Sequence, residues 1–164
     1  MLRKLVIALA ALSLWSVVSF AQTGATLLDD IKAMGTVSLN YSVKGLDKTG
    51  KCVATQKGVA YVQGDCYRIE SDELKVYCNG ESMWMYTPDT EELVISANET
   101  LPLLGATDAR RRQDGTITAS YAANDMTFKV EISGIKSLKE KFPADYFVFD
   151  ESVVSENVIV TDLR

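Results

Sequence analysis

The chain has 164 residues, 17 cations against 22 acids, a net charge of −5 and no histidine. This acidic balance excludes tracking along a nucleic-acid backbone, which needs dense Lys and Arg to displace counterions. The missing imidazole removes the commonest general base, triad base and metal ligand, and there is no G-x-S-x-G nucleophile motif, so the expectation is a non-enzyme without metal or cofactor.

Arg3 and Lys4 precede an apolar run from Leu5 to about Phe20, which exits through Ser19-Phe20-Ala21. A charged start, an apolar centre and a small-x-small exit make up a secretory signal peptide. The competing reading is a membrane anchor, since the run approaches the length of a span, but no charged stop-transfer flank follows it. Cleavage is expected after Ala21, leaving a chain that starts at Gln22 with no Cys behind the cut to carry a lipid. The remainder, 22–164, reads as one domain long enough for a real core. It holds three cysteines, Cys52, Cys66 and Cys78, and an odd count leaves at least one thiol over unless chains pair.

Residues 23–35 read as an amphipathic helix, with Leu27, Leu28, Ile31 and Met34 on one face and Gly35 placed to cap its C-terminus. From Thr36 the period changes to two: Val37, Leu39, Tyr41 and Val43 alternate with polar residues, as on a half-buried strand. A turn over 46–50 returns the chain into 52–63. Tight reversals follow at Gly64-Asp65, Asp72-Glu73 and Asn79-Gly80, the last a strong hairpin signal. Two-residue turns at these points pair Val62 with Tyr67, Ala60 with Ile69, Ile69 with Val76, Tyr67 with Cys78, Val76 with Met83 and Leu74 with Met85. One apolar face results, and a one-residue slip would scramble it. Trp84 and Tyr86 fall on the opposite face. The same pairing turns Cys66 away from Cys78, so a bridge between them needs a longer turn at Asp72-Glu73.

Residues 97–115, with Leu101, Leu103, Leu104 and Arg110-Arg111-Arg112, read as a loop with a short helix lying over a sheet. A hairpin about Asn124-Asp125 pairs Tyr121 with Phe128, Ala119 with Val130 and Ile117 with Ile132. A charged connector over 136–145 leads to two last strands, around Tyr146–Phe149 and Asn157–Thr161. The expected fold is mainly β with helices (α+β), a curved, incompletely closed antiparallel β-barrel with a helical lid. Leu39, Tyr41, Ala60, Val62, Tyr67, Ile69, Leu74, Val76, Met83, Met85, Tyr121, Phe128 and Val130 would line its interior. Leu27, Leu28, Ile31, Met34, Leu101, Leu103 and Leu104 would form the lid. Met side chains give such a wall adaptability, although an ordinary self-filling core would show the same stripe.

Tyr67-Arg68-Ile69-Glu70, the Val76-Tyr77-Cys78-Asn79-Gly80 turn, Trp84-Met85-Tyr86-Thr87-Pro88, Glu92-Leu93-Val94-Ile95 and the ending Val158-Ile159-Val160-Thr161-Asp162-Leu163-Arg164 resemble, in order and spacing, the LolA-like outer-membrane lipoprotein carrier family. The resemblance implies an apolar cavity for acyl chains in a periplasmic monomer. It also implies cargo taken from an inner-membrane release complex and passed to an outer-membrane acceptor. The family places a basic residue and Pro at the reversal before the aromatic-Arg strand, where this chain has Gly64-Asp65. A second reading is a module of the same fold that senses lipid and signals through a partner.

Overall fold

Period-two patterning builds the molecule, whose computed structural model describes residues 31–97, 109–123 and 125–164. Ten strands form one sheet: β1 (Thr36–Leu46), β2 (Cys52–Gln63), β3 (Cys66–Glu70), β4 (Lys75–Cys78), β5 (Ser82–Thr87), β6 (Glu92–Ala97), β7 (Arg110–Arg111), β8 (Ile117–Ala123), β9 (Met126–Leu138) and β10 (Ile159–Asp162). The sheet order is β10-β6-β5-β4-β3-β2-β1-β9-β8-β7, so β7 and β10 are its two edges and the sheet does not close on itself. All neighbours run antiparallel except β10, which lies parallel to β6. The chain is thus mostly β, as expected, but an open sheet.

Three of the four expected hairpin registers hold. Val62 faces Tyr67 and Ala60 faces Ile69; Ile69 faces Val76 and Tyr67 faces Cys78; Tyr121 faces Phe128 and Ile117 faces Ile132. The register at Asn79-Gly80 needs correction, because Val76 faces Met85 and Cys78 faces Met83. The Asn79 carboxamide explains the shift. Its Oδ1 accepts from the Glu81 and Ser82 amides at 3.0 and 2.8 Å, and the Asn79 amide donates to the Ser82 carbonyl at 3.2 Å. Asn79 therefore closes the turn from its first corner, as Asx residues do, and Gly80-Glu81 become the central pair. The pairing moves by two residues, an even number, so every side chain keeps its face.

Other expectations fail for local reasons. Tyr146–Phe149 is not a strand: Ala144–Phe147 forms a 3-10 turn entered from Pro143, with the Val148 amide donating to the Asp145 carbonyl. The connector assigned to 136–145 begins later, because β9 runs on to Leu138. It does so through a bulge opposite Ser38 and Asn40, where Gly134 takes φ +60 and a β-carbon on it would run into the Asn40 side chain. Arg110 and Arg111, read as loop, pair with Thr118 and Ile117 at the β7 edge.

The helix before β1 is described only over 31–33, where Gly35 at φ +86 donates to the Lys32 carbonyl and ends it. Leu27 and Leu28, like Leu101, Leu103 and Leu104, lie outside the described residues. A helical lid is therefore not among the elements described.

The two sheet faces carry separate cores. One, the inner face, gathers Ile31, Val37, Val43 and Ile117 around residues from β1 to β5 and β8 to β9. The other covers β4 to β6 with the C-terminal segment, packing Tyr77, Trp84, Leu93 and Ile95 against Phe149. Trp84 is buried there, and its indole nitrogen donates to Glu151 at 3.4 Å. The face expected for Trp84 is the one it occupies.

Candidate functional site

All thirteen residues expected to line an interior are buried and belong to the inner-face cluster. The reason is parity: each stands at an even step from its neighbours along a strand whose pairings are now explicit. β1 contributes Leu39 and Tyr41, and β2 contributes Ala60 and Val62. Tyr67 and Ile69 follow from β3, Val76 from β4, and Met83 and Met85 from β5. Leu74 enters from the turn before β4, where its amide donates to Ser71 Oγ at 3.0 Å. Tyr121 and Phe128 stack across β8 and β9 with ring centroids 5.1 Å apart, and Val130 completes the far side. Of the lid residues, Ile31 is buried in the same cluster, whereas Met34 is 39% exposed.

The cluster is electrically neutral. Thr36 and Gln56 are the buried polar residues among those described, and no Asp, Glu, Lys or Arg is buried there. Sequence reasoning missed Gln56, although it shares the parity of Ala60 and Val62 and could have been found by counting back along β2. Its amide nitrogen donates to Ser71 Oγ at 3.2 Å. The Tyr41 hydroxyl is buried without a hydrogen-bond partner among the described residues. Tyr67 donates to Met83 Sδ at 3.4 Å, a polar group absorbed by a soft acceptor.

Cys78 is buried, Cys66 is half-buried and Cys52 is exposed, and all three are free. Tyr67 stands opposite Cys78 and Gln63 opposite Cys66, so the register keeps the two thiols on different faces. Burial pushes the Cys78 thiol up, despite the Gly80 amide that donates to its sulfur. A buried thiol with a raised pKa is a packing group rather than a nucleophile. No group of three or more His, Cys, Asp or Glu able to hold a metal occurs among the described residues.

Burial pushes the Tyr41 phenol up to about 12, with the Glu73 carboxylate adding to the rise. It also raises Tyr67, next to Cys78. The ordinary phenol titrates near 10. Below that pH both folded and unfolded chains keep the proton, and stability is full. Above it the unfolded chain ionises while the folded chain does not, so stability falls as pH rises from about 10 towards 12. Tyr41 alone accounts for a loss of about 2 kcal/mol across that window. Urea unfolding at pH 9, 10.5 and 11.5 checks this, and Tyr41→Phe should flatten the decline.

The fold and the site define a single open β-sheet whose inner face carries a neutral, buried apolar cluster. No known family's sequence profile matches the chain, and no curated protein matches it. Among solved structures, an uncharacterized conserved protein from Thermus thermophilus is similar over 85% of this chain and 99% of its own, with a TM-score of 0.47 at 10% identity. A likeness at that level carries no argument about function.

Proposed function

We propose that the protein is an exported, periplasmic carrier that shields acyl chains of lipoproteins, or of a related lipid, against its inner sheet face during transfer toward the outer membrane. The observation that carries this reading is the inner face itself: a continuous apolar surface across β5, β4, β3, β2, β1, β9 and β8, with no buried charge among the described residues and rich in Met and aromatic side chains. Such a surface rewards a hydrocarbon guest by its area and imposes no charged anchor on it. The LolA-like order of Tyr67-Arg68, Asn79-Gly80 and Trp84-x-Tyr86 supports the same reading, and so do the N-terminal export pattern and the open β7 and β10 edges. Cargo would come from an inner-membrane release complex and leave to an outer-membrane acceptor.

The inner face packs on itself, and Ile31 is part of that packing. The helix end that carries Ile31 is held by an ion pair from Lys32 Nζ to Asp65 Oδ1 at 2.7 Å. Asp65 sits at the reversal where the LolA-like carriers have a basic residue, and here that turn carries the acidic half of the pair. With side chains 35% and 80% exposed, this pair is worth at most about 1 kcal/mol and yields easily to a guest. Ile31 would then yield its place on the inner face, and Met83 and Met85 would repack around the acyl chain.

The test is the content of the protein as it comes from the cell. Native mass spectrometry and lipid extraction should show acyl-bearing material. A fluorescent fatty acid should bind and be displaced by unlabelled chains. Met85→Asp, which places a charge in the neutral face, should abolish uptake. A purified, folded protein that carries no lipid and binds no fluorescent fatty acid would overturn the proposal.

A further inference from the structure

The outer face of β2, β1, β9 and β8 holds a groove of about 660 Å³ whose charge is opposite to that of the chain as a whole. Four cations line it: Lys44 on β1, Lys57 on β2, Lys129 on β9, and Arg112 just beyond β7. Against them stands one carboxylate, Glu131, whose Oε2 lies 4.0 Å from Arg112. In a protein of net charge −5, that concentration of cations on one sheet face is a local inversion of sign.

The register sharpens the point. Lys44 and Lys129 are directly opposed across β1 and β9, and like charges at that separation repel and destabilise a sheet. Lys44, Lys57 and Lys129 form no ion pair with another described residue, so the repulsion is left uncompensated within the described chain. Hydroxyls and an amide lie between the cations, among them Asn40, Ser42 and Thr118. These groups can hydrogen-bond a peptide backbone. The exposed large apolar residues Val153, Ile159, Val160 and Leu163 belong to the C-terminal segment, not to this groove, and a surface that lies on a bilayer needs apolar side chains to insert.

From β2 to β8 the groove crosses three strand spacings, roughly 14 Å. A single phosphate or carboxylate cannot touch both sides of that span. An extended peptide can, since alternate side chains fall on one face about 7 Å apart. We infer that this groove is a docking surface for an extended acidic segment of a partner protein, with Asp or Glu at alternating positions. Carboxylates of that segment neutralise the opposed Lys44 and Lys129 and reach Lys57, while Asn40 and Ser42 hold its backbone. The site lies on the sheet face opposite the inner apolar cluster, so it is independent of whether acyl chains bind there.

The experiment is a fluorescence anisotropy titration of the full chain with a labelled peptide of alternating Glu and Ser, with about five residues to span the groove and a short flank at each end. Saturable binding that weakens as salt rises is expected. The Lys44→Glu/Lys129→Glu variant should lose at least tenfold in affinity, while Lys139→Glu, a matched reversal in the connector outside the groove, should leave it unchanged. Circular dichroism and fatty-acid uptake measured on the same double variant separate this result from a folding defect and from loss of the inner site. Three outcomes would each overturn the inference: no binding at low salt, equal loss from Lys139→Glu, or binding of the chain to anionic phospholipid vesicles but not to the peptide.

Discussion

Arg68→Ala should destabilise the protein by about 3 kcal/mol and loosen the C-terminal segment from the sheet. The Arg68 guanidinium lies between two rings, 4.7 Å from the Tyr77 centroid on β4 and 4.5 Å from that of Tyr146 in the C-terminal 3-10 turn. Its Nη2 meets Glu70 Oε1 at 2.6 Å, and its Nη1 reaches the Tyr146 carbonyl at 3.5 Å. Each cation–π contact, partly removed from water, is worth about 1 kcal/mol. Losing the planar group also leaves Glu70 with only the long contact from the Tyr77 hydroxyl at 3.4 Å. Arg68→Lys should recover little, because a point charge on a flexible stem cannot stack between two rings. Tyr146 in turn stacks on Phe142 at 4.1 Å and stands edge-on to Phe147, which is fully buried, so the effect spreads along the segment. The measurement is urea unfolding of the exported chain, residues 22–164, followed by the emission of Trp84, its one tryptophan. Trp84 is buried beneath this segment, and a red shift at low urea in Arg68→Ala would mark its release. Wild-type stability in both Arg68 variants would refute the account.

That arrangement also shows why one part of the chain was legible in its sequence and another was not. The hairpins were readable because parity is a strict local rule: once Gly64-Asp65 and Asp72-Glu73 are turns, Tyr67 and Ile69 can only share a face with Val76. The error at Asn79 moved the pairing without changing the faces, since the slip was even. The tail was not readable in this way. Tyr146, Phe147 and Phe149 look like strand residues by composition, but Pro143 and the docking of these rings on Tyr61, Arg68 and Tyr77 decide their conformation. Those are contacts between residues far apart in the chain, and no period records them. The parallel pairing of β10 with β6 is invisible for the same reason, because only the path of the tail sets its direction. The inner face was legible as a set of residues; that Ile31 from the preceding helix joins it follows from the helical spacing of Leu27, Leu28 and Ile31. The groove around Lys44 and Lys129 was not, because it requires the β1–β9 pairing, which joins segments with no turn between them.

Gly58→Ala tests the geometry of that inner face most directly, with an expected loss of about 3 kcal/mol and a large fall in Tm. Gly58 lies mid-strand in β2, where glycine ordinarily weakens a sheet and alanine would strengthen it. Here the Tyr41 ring lies across it from the opposite position on β1. A β-carbon would come within 2.8 Å of both Tyr41 Cε1 and Oη and would clash with the Glu70 carbonyl oxygen. Neither obstacle moves cheaply. The carbonyl is sheet backbone next to the Val59–Glu70 pair, and the Tyr41 ring is almost fully buried among its neighbours. The glycine is what allows an aromatic ring to close over the sheet at this point, a known use of glycine opposite an aromatic in β structure. Gly58→Ala in a Tyr41→Ala background should then cost less than the sum of the two single changes, because removing the ring makes room for the new methyl. The residual cost would report the Glu70 carbonyl alone. Strict additivity in that double-mutant cycle would show that Tyr41 does not occupy the space above Gly58, and would remove the ring from the inner wall.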